Sequence, residues 1–405
     1  MVELPQMVIE LARLVRENNG RAYLVGGCVR DGLLDRTPKD LDVEVHGLEE
    51  ARLVQVLRTL GTVKEVGKAF GVYKLVGVDM EIDVSLPRRD SRTADRDPFL
   101  GEKAATLRRD LTINSLLLDP LTEELLDYFG GREDLRDGVL REVDSSRFGD
   151  DPLRALRAVR LGATLGFQLA DSLRHHCKSM DLSSLPGERV WVEIDRMLME
   201  PERPGDALYE LHALGLVPSI LPGLEGAGRQ SVREHLNQAA RLGVHLSDDA
   251  SRRVLLVSVL LSPLKETAAT RVLDRLCLHR WDGHPLRRPV LSVISELQRP
   301  LPVTDTALRK ASERVGLEVF LRVWEALRPA EGGWDALMRA QEIGVAAGSL
   351  PELVRGEDLL ALGFEPGPQV GAALKLVREA QLEGRLSSRE DALVWIRNRH
   401  GRGTS

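Results

Sequence analysis

Two aspartates one residue apart, Asp40 and Asp42 in the stretch "KDLDVEV", are the residues of this sequence best suited to metal chemistry. If the stretch is a β-strand, both carboxylates lie on the same face, because side chains alternate along a strand with a period of two. Two unpaired carboxylates on one face repel each other, and Mg²⁺, which prefers hard oxygen ligands, relieves that repulsion. Bound Mg²⁺ can hold a triphosphate and activate an attacking hydroxyl group. We therefore expect Asp40 and Asp42 to be catalytic metal ligands.

A glycine pair and an arginine precede these aspartates in "LVGGCVRDGLL". Gly26 and Gly27 allow the backbone to approach a phosphate group closely and to present N–H groups to it. Arg30 can neutralise a phosphate oxygen. Taken singly, a Gly-Gly pair is usually a turn and a D-x-D pair is usually a solvated strand end. Their ordered combination indicates a site for a metal ion and a triphosphate.

The stretch "LRRDLTINSLLLD" at 107–119 carries a second group of polar residues, Arg109, Asp110 and Asn114. By itself it is equally typical of a basic helix cap that leads into a core helix.

The stretch "FGDDPLRALRAVRLGATLGF" at 148–167 predicts a helix, with Asp150 or Asp151 as the N-cap and Pro152 in the first turn. Three arginines then recur at every third residue and form a basic stripe, Arg154, Arg157 and Arg160. Without the other motifs, this pattern would indicate a capped amphipathic helix with a solvated arginine face.

In their order along the chain, the four stretches resemble the motifs of class II tRNA nucleotidyltransferases and the closely related bacterial poly(A) polymerases, within the polymerase β-like superfamily. Two further stretches extend the resemblance to residue 204, "LLDYFGGREDLRDGVLREV" at 125–143 and "GERVWVEIDRMLMEPERP" at 187–204. The sequence departs from the family pattern at Asp35, where Gly is usual, and at Asp150, where the base-reading motif E-D-x-x-R has Glu.

The resemblance implies a role for each motif. Asp40 and Asp42 would bind the catalytic Mg²⁺, and either Glu81 or Asp83 is a candidate for a third acid. Asp150, Asp151 and Arg154 would read the nucleobase through hydrogen bonds to its pairing edge. The full set of implied nucleotide-binding residues is Gly26, Gly27, Arg30, Arg109, Asp110, Asn114, Asp150, Asp151, Arg154, Arg157 and Arg160.

The implied activity is addition of CMP from CTP to the 3′ end of tRNA, with release of pyrophosphate. Relatives usually carry a longer loop between the first two motifs, often with a Gly-His-x-Gly-Phe-like stretch that helps the site accept ATP. This sequence has "PRRDSRTADRDPFLGEKAAT" there instead, so we expect a CC-adding enzyme.

A full CCA-adding enzyme that uses CTP and ATP is the first alternative. A poly(A) polymerase is the second, although such enzymes often have a very basic C-terminal extension. A catalytically silent RNA-binding protein is disfavoured by the paired carboxylates.

Helix and strand patterns alternate over the first 150 residues, and helical patterns dominate afterwards. Together with the resemblance, this predicts an α+β fold, a polymerase β-like nucleotidyltransferase head followed by an all-helical neck, body and tail. The predicted bounds are 1–143 for the head, 144–204 for the neck, 205–300 for the body and 301–405 for the tail. The body lacks the His-Asp pair of the phosphohydrolase domain found in many relatives, so we expect it to be a degenerate form of that domain.

Composition limits the partners of the protein. A net charge of −6 excludes a uniformly basic nucleic-acid binder, so tRNA would bind to local basic patches, the acceptor end at the head and the elbow at the tail. The three cysteines form no C-x-x-C pair, which argues against a zinc site. Because the sequence shows no leader pattern and no long apolar run, we expect a cytoplasmic protein without a membrane partner. No protein partner is implied.

Overall fold

The computed structural model describes residues 4–66, 71–77, 81–89 and 95–400. The chain divides into two compact units, one formed by Met1–Leu185 with Ala213–Leu216 and the other by Pro186–His212 with Val217–Ser405. The finer division into head, neck, body and tail stays a prediction.

The first unit is built on a mixed sheet with the strand order β3-β4-β5-β2-β1-β6-β7 over the described residues. Its strands are β1 Arg21–Val25, β2 Asp42–His46, β3 Thr62–Val66, β4 Val72–Val76, β5 Glu81–Ser85, β6 Leu117–Leu118 and β7 Leu125–Leu126. The pairing is antiparallel everywhere except between the central strands β2 and β5, which run parallel. The sheet is therefore mixed and mostly antiparallel.

Helices and short strands complete the first unit. They are α1 Gln6–Glu17, α2 Gly27–Leu33, α3 Glu50–Leu60, α4 Glu102–Thr106, a 3₁₀ turn Thr112–Asn114, α5 Gly131–Asp137, β8 Val139–Leu140, α6 Ser145–Phe148, α7 Leu153–Leu165, β9 Gln168–Leu169 and α8 Asp171–Lys178.

The two faces of β2 have different environments, and this difference positions the candidate site. Val43 and Val45 belong to the hydrophobic core that also contains Leu11 of α1 and Leu53 of α3. Because side chains alternate along a strand, Asp42 and the other even-numbered residues of β2 lie on the opposite face. The apolar face therefore fixes the register of β2 and thereby the direction of its polar side chains.

The second unit is helical apart from a two-stranded ribbon, over the described residues. Its elements are α9 Gly187–Met199, α10 Pro204–Ala213, α11 Val217–Ile220, α12 Arg229–Gly243, α13 Asp249–Leu261, α14 Glu266–Arg275, β10 Arg280–Trp281, β11 His284–Pro285, α15 Arg287–Glu296, α16 Asp305–Ser312, α17 Leu317–Leu327, α18 Gly333–Glu342, α19 Gly356–Ala361, α20 Pro368–Leu382 and α21 Arg389–His400. Of the helices that the structure describes, none combines the length and the apolar character that a membrane span requires.

The predicted α+β fold is confirmed, with strands confined largely to the first unit and a helical remainder. One detail of the prediction is wrong. The strand that carries the aspartates begins at Asp42, so Asp40 lies in an exposed bend before it and strand alternation does not set its direction. The reason is the partner strand, since β1 ends at Val25 and the chain turns away at Gly26. The stretch "VYKLVGVDMEIDVSL" predicts two strands with a turn near Gly77 to Asp79, and residues 78–80 of that stretch lie outside the described residues.

Candidate active site

Gly26 forms the turn between β1 and α2, and two predicted site residues converge on it. Its backbone has φ 74° and ψ −133°, a conformation that is readily available only to glycine. A Cβ atom at this position would lie 3.0 Å from Nη1 of Arg109 and 3.9 Å from Oδ2 of Asp42. The turn therefore brings the guanidinium of Arg109 and the carboxylate of Asp42 to a backbone position that has no side chain.

Asp42 lies among other carboxylates at the sheet. It is the register partner of Asp83 on the parallel strand β5. Burial raises the pKa of Asp42, the charge of Arg109 opposes the rise, and the charges of Asp83 and Asp40 add to it. Of the two candidates for a third acid, Asp83 thus lies beside Asp42. Glu81 is exposed and forms an ion pair of 2.9 Å with Lys74, which lies 3.9 Å from Asp83.

The donor set fits a magnesium ion that shares its coordination with a substrate. Among the described residues, no three His, Cys, Asp or Glu side chains form a closed metal cage. Mg²⁺ is usually held by one or two carboxylates together with substrate phosphates and water, not by an all-protein cage. Burial is the main cause of the raised pKa of Asp42, and a divalent cation between the carboxylates would relieve the smaller contribution from the charges of Asp83 and Asp40. Asp40 and Asp42, with Asp83 beside them, are the residues that would hold it.

Three hydrogen bonds connect α2 with α7 through the segment around the 3₁₀ turn. Arg30 donates from Nη1 to Oδ1 of Asn114 at 2.8 Å, and Asn114 donates from Nδ2 to Oδ1 of Asp110 at 3.0 Å. Arg157 of α7 donates from Nε to Oδ2 of Asp110 at 2.8 Å. Burial alone would raise the pKa of Asp110, but Arg157 and Asn114 outweigh it and hold this pKa well below its ordinary value. Four of the predicted site residues thus form one network.

Arg154 on α7 is 7% exposed, and its guanidinium donates to two backbone carbonyls, those of Arg147 and Arg108, each at 2.9 Å. Arg160, two turns along the helix, is also buried. The arginine stripe of α7 is therefore not a solvated face. Burying guanidinium groups is unfavourable unless hydrogen bonds satisfy them, and the two carbonyl contacts of Arg154 do so.

The two acidic residues before α7 are placed differently from each other. Asp151 accepts a hydrogen bond from the backbone N–H of Leu153 at 3.1 Å and so caps the start of the helix. Asp150 lies in an exposed position one residue earlier. The predicted N-cap role thus falls to Asp151.

One acid that continues the polar face of β2 is not among the predicted site residues. Glu44 is 1% exposed and accepts a hydrogen bond from Nη2 of Arg108 at 2.7 Å. Burial would raise the pKa of Glu44, yet the hydrogen bond with His46 and the charges of Arg108 and Arg109 lower it to about 2. The signal was present in the sequence, because extending the alternation of Asp40 and Asp42 by two residues reaches Glu44.

A cavity of about 1100 Å³ opens beside Asp40 and Asp83, between α1, α2 and the segment that leads into β2. Apolar residues such as Leu33 and Leu41 line it together with the polar Lys74. Substrate groups could therefore approach the carboxylates from this side of the first unit.

Comparisons with known proteins identify chains that are similar to this one. A family model described as the poly A polymerase head domain matches residues 22–141. A multifunctional CCA protein of Xanthomonas campestris is 36% identical over 57% of this chain, and the match spans 59% of the length of that protein.

Two other likenesses extend over nearly the whole chain. The crystal structure of the Bacillus stearothermophilus CCA-adding enzyme in complex with CTP superimposes with a TM-score of 0.76 and 25% identity, over 99% of this chain and 100% of that one. The CC-adding tRNA nucleotidyltransferase of Thermus thermophilus is 31% identical over 93% of both chains. The chain that brings this carboxylate, guanidinium and glycine turn together therefore belongs to the tRNA nucleotidyltransferase family of the CCA-adding and CC-adding enzymes.

Proposed function

We propose that this protein is a tRNA nucleotidyltransferase that transfers CMP from CTP to the 3′ end of tRNA and releases pyrophosphate. One observation carries the proposal. The carboxylate of Asp42 and the guanidinium of Arg109 both border Gly26, with 3.9 Å and 3.0 Å to the position that a Cβ atom would take. A proposed metal ligand and a proposed phosphate-binding cation thus face the same glycine backbone, as nucleotidyl transfer requires.

In the proposed reaction, the 3′-hydroxyl of tRNA attacks the α-phosphorus of CTP. A new bond forms between O3′ and the α-phosphorus, and the bond to the departing pyrophosphate breaks. Mg²⁺ bound at Asp40 and Asp42 would supply charge stabilisation and a lower pKa for the attacking hydroxyl. Arg109 and Arg30 would hold the triphosphate in line, since guanidinium groups bind phosphate oxygens in a fixed geometry.

Selection of the base would take place at the start of α7. A guanidinium and a carboxylate can together offer the donors and acceptors of a base edge. Arg154 is held by two carbonyls, and Asp151 is held at the N-terminus of the helix. A rigidly held pair of this kind discriminates between bases better than a mobile one, because less ordering is needed on binding.

We infer further that the protein adds only the two cytidines. The segment between β5 and the 107–119 stretch lacks the Gly-His-x-Gly-Phe-like sequence, and residues 90–94 of that segment lie outside the described residues. The name of the Thermus relative, a CC-adding tRNA nucleotidyltransferase, supports this narrower activity. The names of the Xanthomonas and Bacillus proteins support the alternative, a complete CCA-adding enzyme.

Transfer assays with two tRNA substrates test both levels of the proposal. tRNA that ends before CCA should accept labelled CMP, and tRNA that ends in CC should accept no labelled AMP. Incorporation of AMP onto the second substrate would refute the CC-only activity and leave the family assignment intact. Repeated AMP addition to any RNA would indicate a poly(A) polymerase.

The variant Asp42→Ala should abolish CMP incorporation and leave tRNA binding, measured by gel shift, largely unchanged. A matched control is Asp35→Gly. Asp35 is an exposed turn residue with φ 54°, a conformation that glycine adopts without strain. This control should retain wild-type incorporation. If Asp42→Ala still incorporates CMP, the assignment of the metal ligands is wrong.

A further inference from the structure

The polar face of β2 does not end at Asp42 but continues into the interior at Glu44 and His46. Both side chains are almost fully buried, at 1% and 6% exposure. A carboxylate in such a place is unfavourable unless several donors satisfy it. Glu44 is therefore expected to serve a specific purpose at this position.

Glu44 is satisfied from three sides. Its Oε2 accepts from Nη2 of Arg108 at 2.7 Å and lies 3.8 Å from Nη2 of Arg109. Its Oε1 lies 3.2 Å from Nε2 of His46, whose Nδ1 lies 3.0 Å from the backbone carbonyl of Leu100. The carboxylate is thus fixed by β2 itself and by the segment 100–109 that covers this face of the sheet.

The two distances to the arginines separate their roles. At 2.7 Å the contact with Arg108 is a charge-assisted hydrogen bond, whereas the 3.8 Å contact with Arg109 is an ion pair without a hydrogen bond. Arg108 is consequently the anchor. Arg109 is attracted toward Glu44, but its guanidinium also reaches the Gly26 turn, where a phosphate would bind.

The anchor at Arg108 also reaches the base-reading helix. The backbone carbonyl of Arg108 accepts a hydrogen bond from Nη2 of Arg154 at 2.9 Å. Holding the side chain of Arg108 therefore also fixes the carbonyl that holds Arg154. Glu44 is connected to the triphosphate side of the site through Arg109 and to the base side through Arg108.

The charge balance around Glu44 argues against a role in stability alone. Three guanidinium groups, those of Arg88, Arg108 and Arg109, act on this one carboxylate. Within the described part of the chain, three buried donor atoms of these groups have no hydrogen-bond partner. They are Nε and Nη1 of Arg88 and Nε of Arg108. Buried ion pairs with unsatisfied donors are a poor way to stabilise a core, and apolar residues of similar volume usually do at least as well. Such a cluster instead fixes the orientation of its members.

We propose that Glu44 is a positioning residue of the nucleotide site, which orients Arg109 toward the triphosphate and, through Arg108, orients Arg154 toward the base. The inference rests on the proposed function. It assigns to one buried acid, outside the metal pair, control over both nucleotide affinity and nucleotide choice.

The test compares Glu44→Gln with the wild type in steady-state CMP transfer to tRNA that lacks CCA. Glutamine keeps the size of the side chain but removes the charge that attracts Arg108 and Arg109. The expected result is a rise of about tenfold in KM for CTP with a smaller change in kcat. The preference for CTP over UTP should fall as well, because Arg154 loses its fixed carbonyl. Equilibrium binding of CTP in the presence of Mg²⁺ should weaken by a similar factor.

A double-mutant cycle with Arg108→Met tests the connection through the anchor. If Glu44 acts through Arg108, the double variant should be little worse than either single variant, since the two residues form one interaction. Additive losses would overturn the proposed route. If Glu44→Gln does not fold, Arg108→Lys tests the same anchor, because lysine keeps the charge at position 108 but not the guanidinium geometry.

The matched control is Asp195→Asn, which disrupts a buried aspartate–arginine pair with Arg253 in the second unit. It should lower the melting temperature and leave both CTP binding and the CTP to UTP ratio unchanged. If Glu44→Gln behaves like this control, Glu44 is only structural and the inference is wrong. If the wild type binds CTP but transfers no nucleotide to any tRNA, the proposed function fails, and CTP binding by the Glu44 variants still decides the inference.

Discussion

Arg157 of α7 donates a hydrogen bond of 2.8 Å to Oδ2 of Asp110, a residue 47 positions earlier in the chain. The same carboxylate accepts from Asn114, which in turn accepts from Arg30 near the glycine turn. A buried acid at the centre of the network therefore sets the position of α7 relative to α2 and the glycine turn. Motifs that are separate in the sequence act here as one unit.

The first prediction concerns the pH dependence of stability at Asp110. Arg157 and Asn114 outweigh the effect of burial and lower the pKa of Asp110 in the folded state. The carboxylate therefore contributes stability that is fully present above its unfolded pKa of about 3.9 and is lost as the pH falls toward the lower folded pKa. Asp110→Asn should be less stable than the wild type at pH 7, and the difference should shrink below about pH 4.

Urea denaturation of both proteins at pH 7, 5, 4 and 3.5 measures this difference. The exposed Asp171→Asn serves as a control at pH 7 and should unfold like the wild type. A difference between wild type and Asp110→Asn that stays constant across the whole pH range would contradict the ionised Asp110–Arg157 pair.

Much of this site could be predicted from local sequence patterns. Alternation and capping residues were enough to place β2 and α7, and the ordered motifs indicated which polar residues belong together. The start of β2 was misplaced by two residues because strand length depends on a partner strand. Pairing between β1 and β2 stops where the chain turns at Gly26, and no local pattern around Asp40 encodes that.

The contacts of the buried polar groups could not be predicted in the same way. Glu44 and Arg108 are 64 positions apart, and their contact depends on how the segment 100–109 crosses the sheet. For the same reason the arginines of α7 could be interpreted as a solvated face. Periodicity gives the side of a helix on which a residue lies, but only tertiary packing determines whether that side is covered.

The second prediction contrasts the two glycines of the turn. Gly26 has φ 74°, so Gly26→Ala forces a side chain into a conformation that costs about 1–3 kcal/mol. The added Cβ would also lie 3.0 Å from Nη1 of Arg109 and displace it. We expect Gly26→Ala to lower the melting temperature and to raise KM for CTP.

Gly27→Ala is the matched control for folding. Its Cβ would lie 3.5 Å from Nη2 of Arg30, an ordinary van der Waals distance, and Gly27 is already the first residue of α2. Thermal unfolding of Gly27→Ala should therefore stay close to that of the wild type. If both variants lower the melting temperature equally, the backbone conformation of Gly26 is not what destabilises Gly26→Ala.

The third prediction distinguishes the two candidates for a third acid on β5. Asp83 is opposite Asp42 in the parallel pairing, whereas Glu81 lies two residues earlier. Lys74 pairs with Glu81 at 2.9 Å and lies 3.9 Å from Asp83. Asp83→Asn should lower kcat for CMP transfer and weaken the dependence of the rate on Mg²⁺ concentration, because it removes one carboxylate beside the metal ligands. Glu81→Gln should change neither quantity. A loss of rate with Glu81→Gln but not with Asp83→Asn would reverse the assignment.

The fourth prediction concerns nucleotide choice at Arg154. Its planar guanidinium donates to the carbonyls of Arg147 and Arg108 at once, a geometry that the single ammonium group of lysine cannot reproduce. Arg154→Lys should therefore keep the positive charge but lose its fixed orientation. We expect the ratio of kcat/KM for CTP to that for UTP to fall by about tenfold, the factor that corresponds to one lost hydrogen bond to a charged group.

The matched control is Arg136→Lys, at an exposed position on α5 of the same unit. It also replaces a guanidinium by an ammonium group and should leave the ratio unchanged. If Arg154→Lys reduces the rates with CTP and UTP by the same factor, Arg154 supports the site without reading the base.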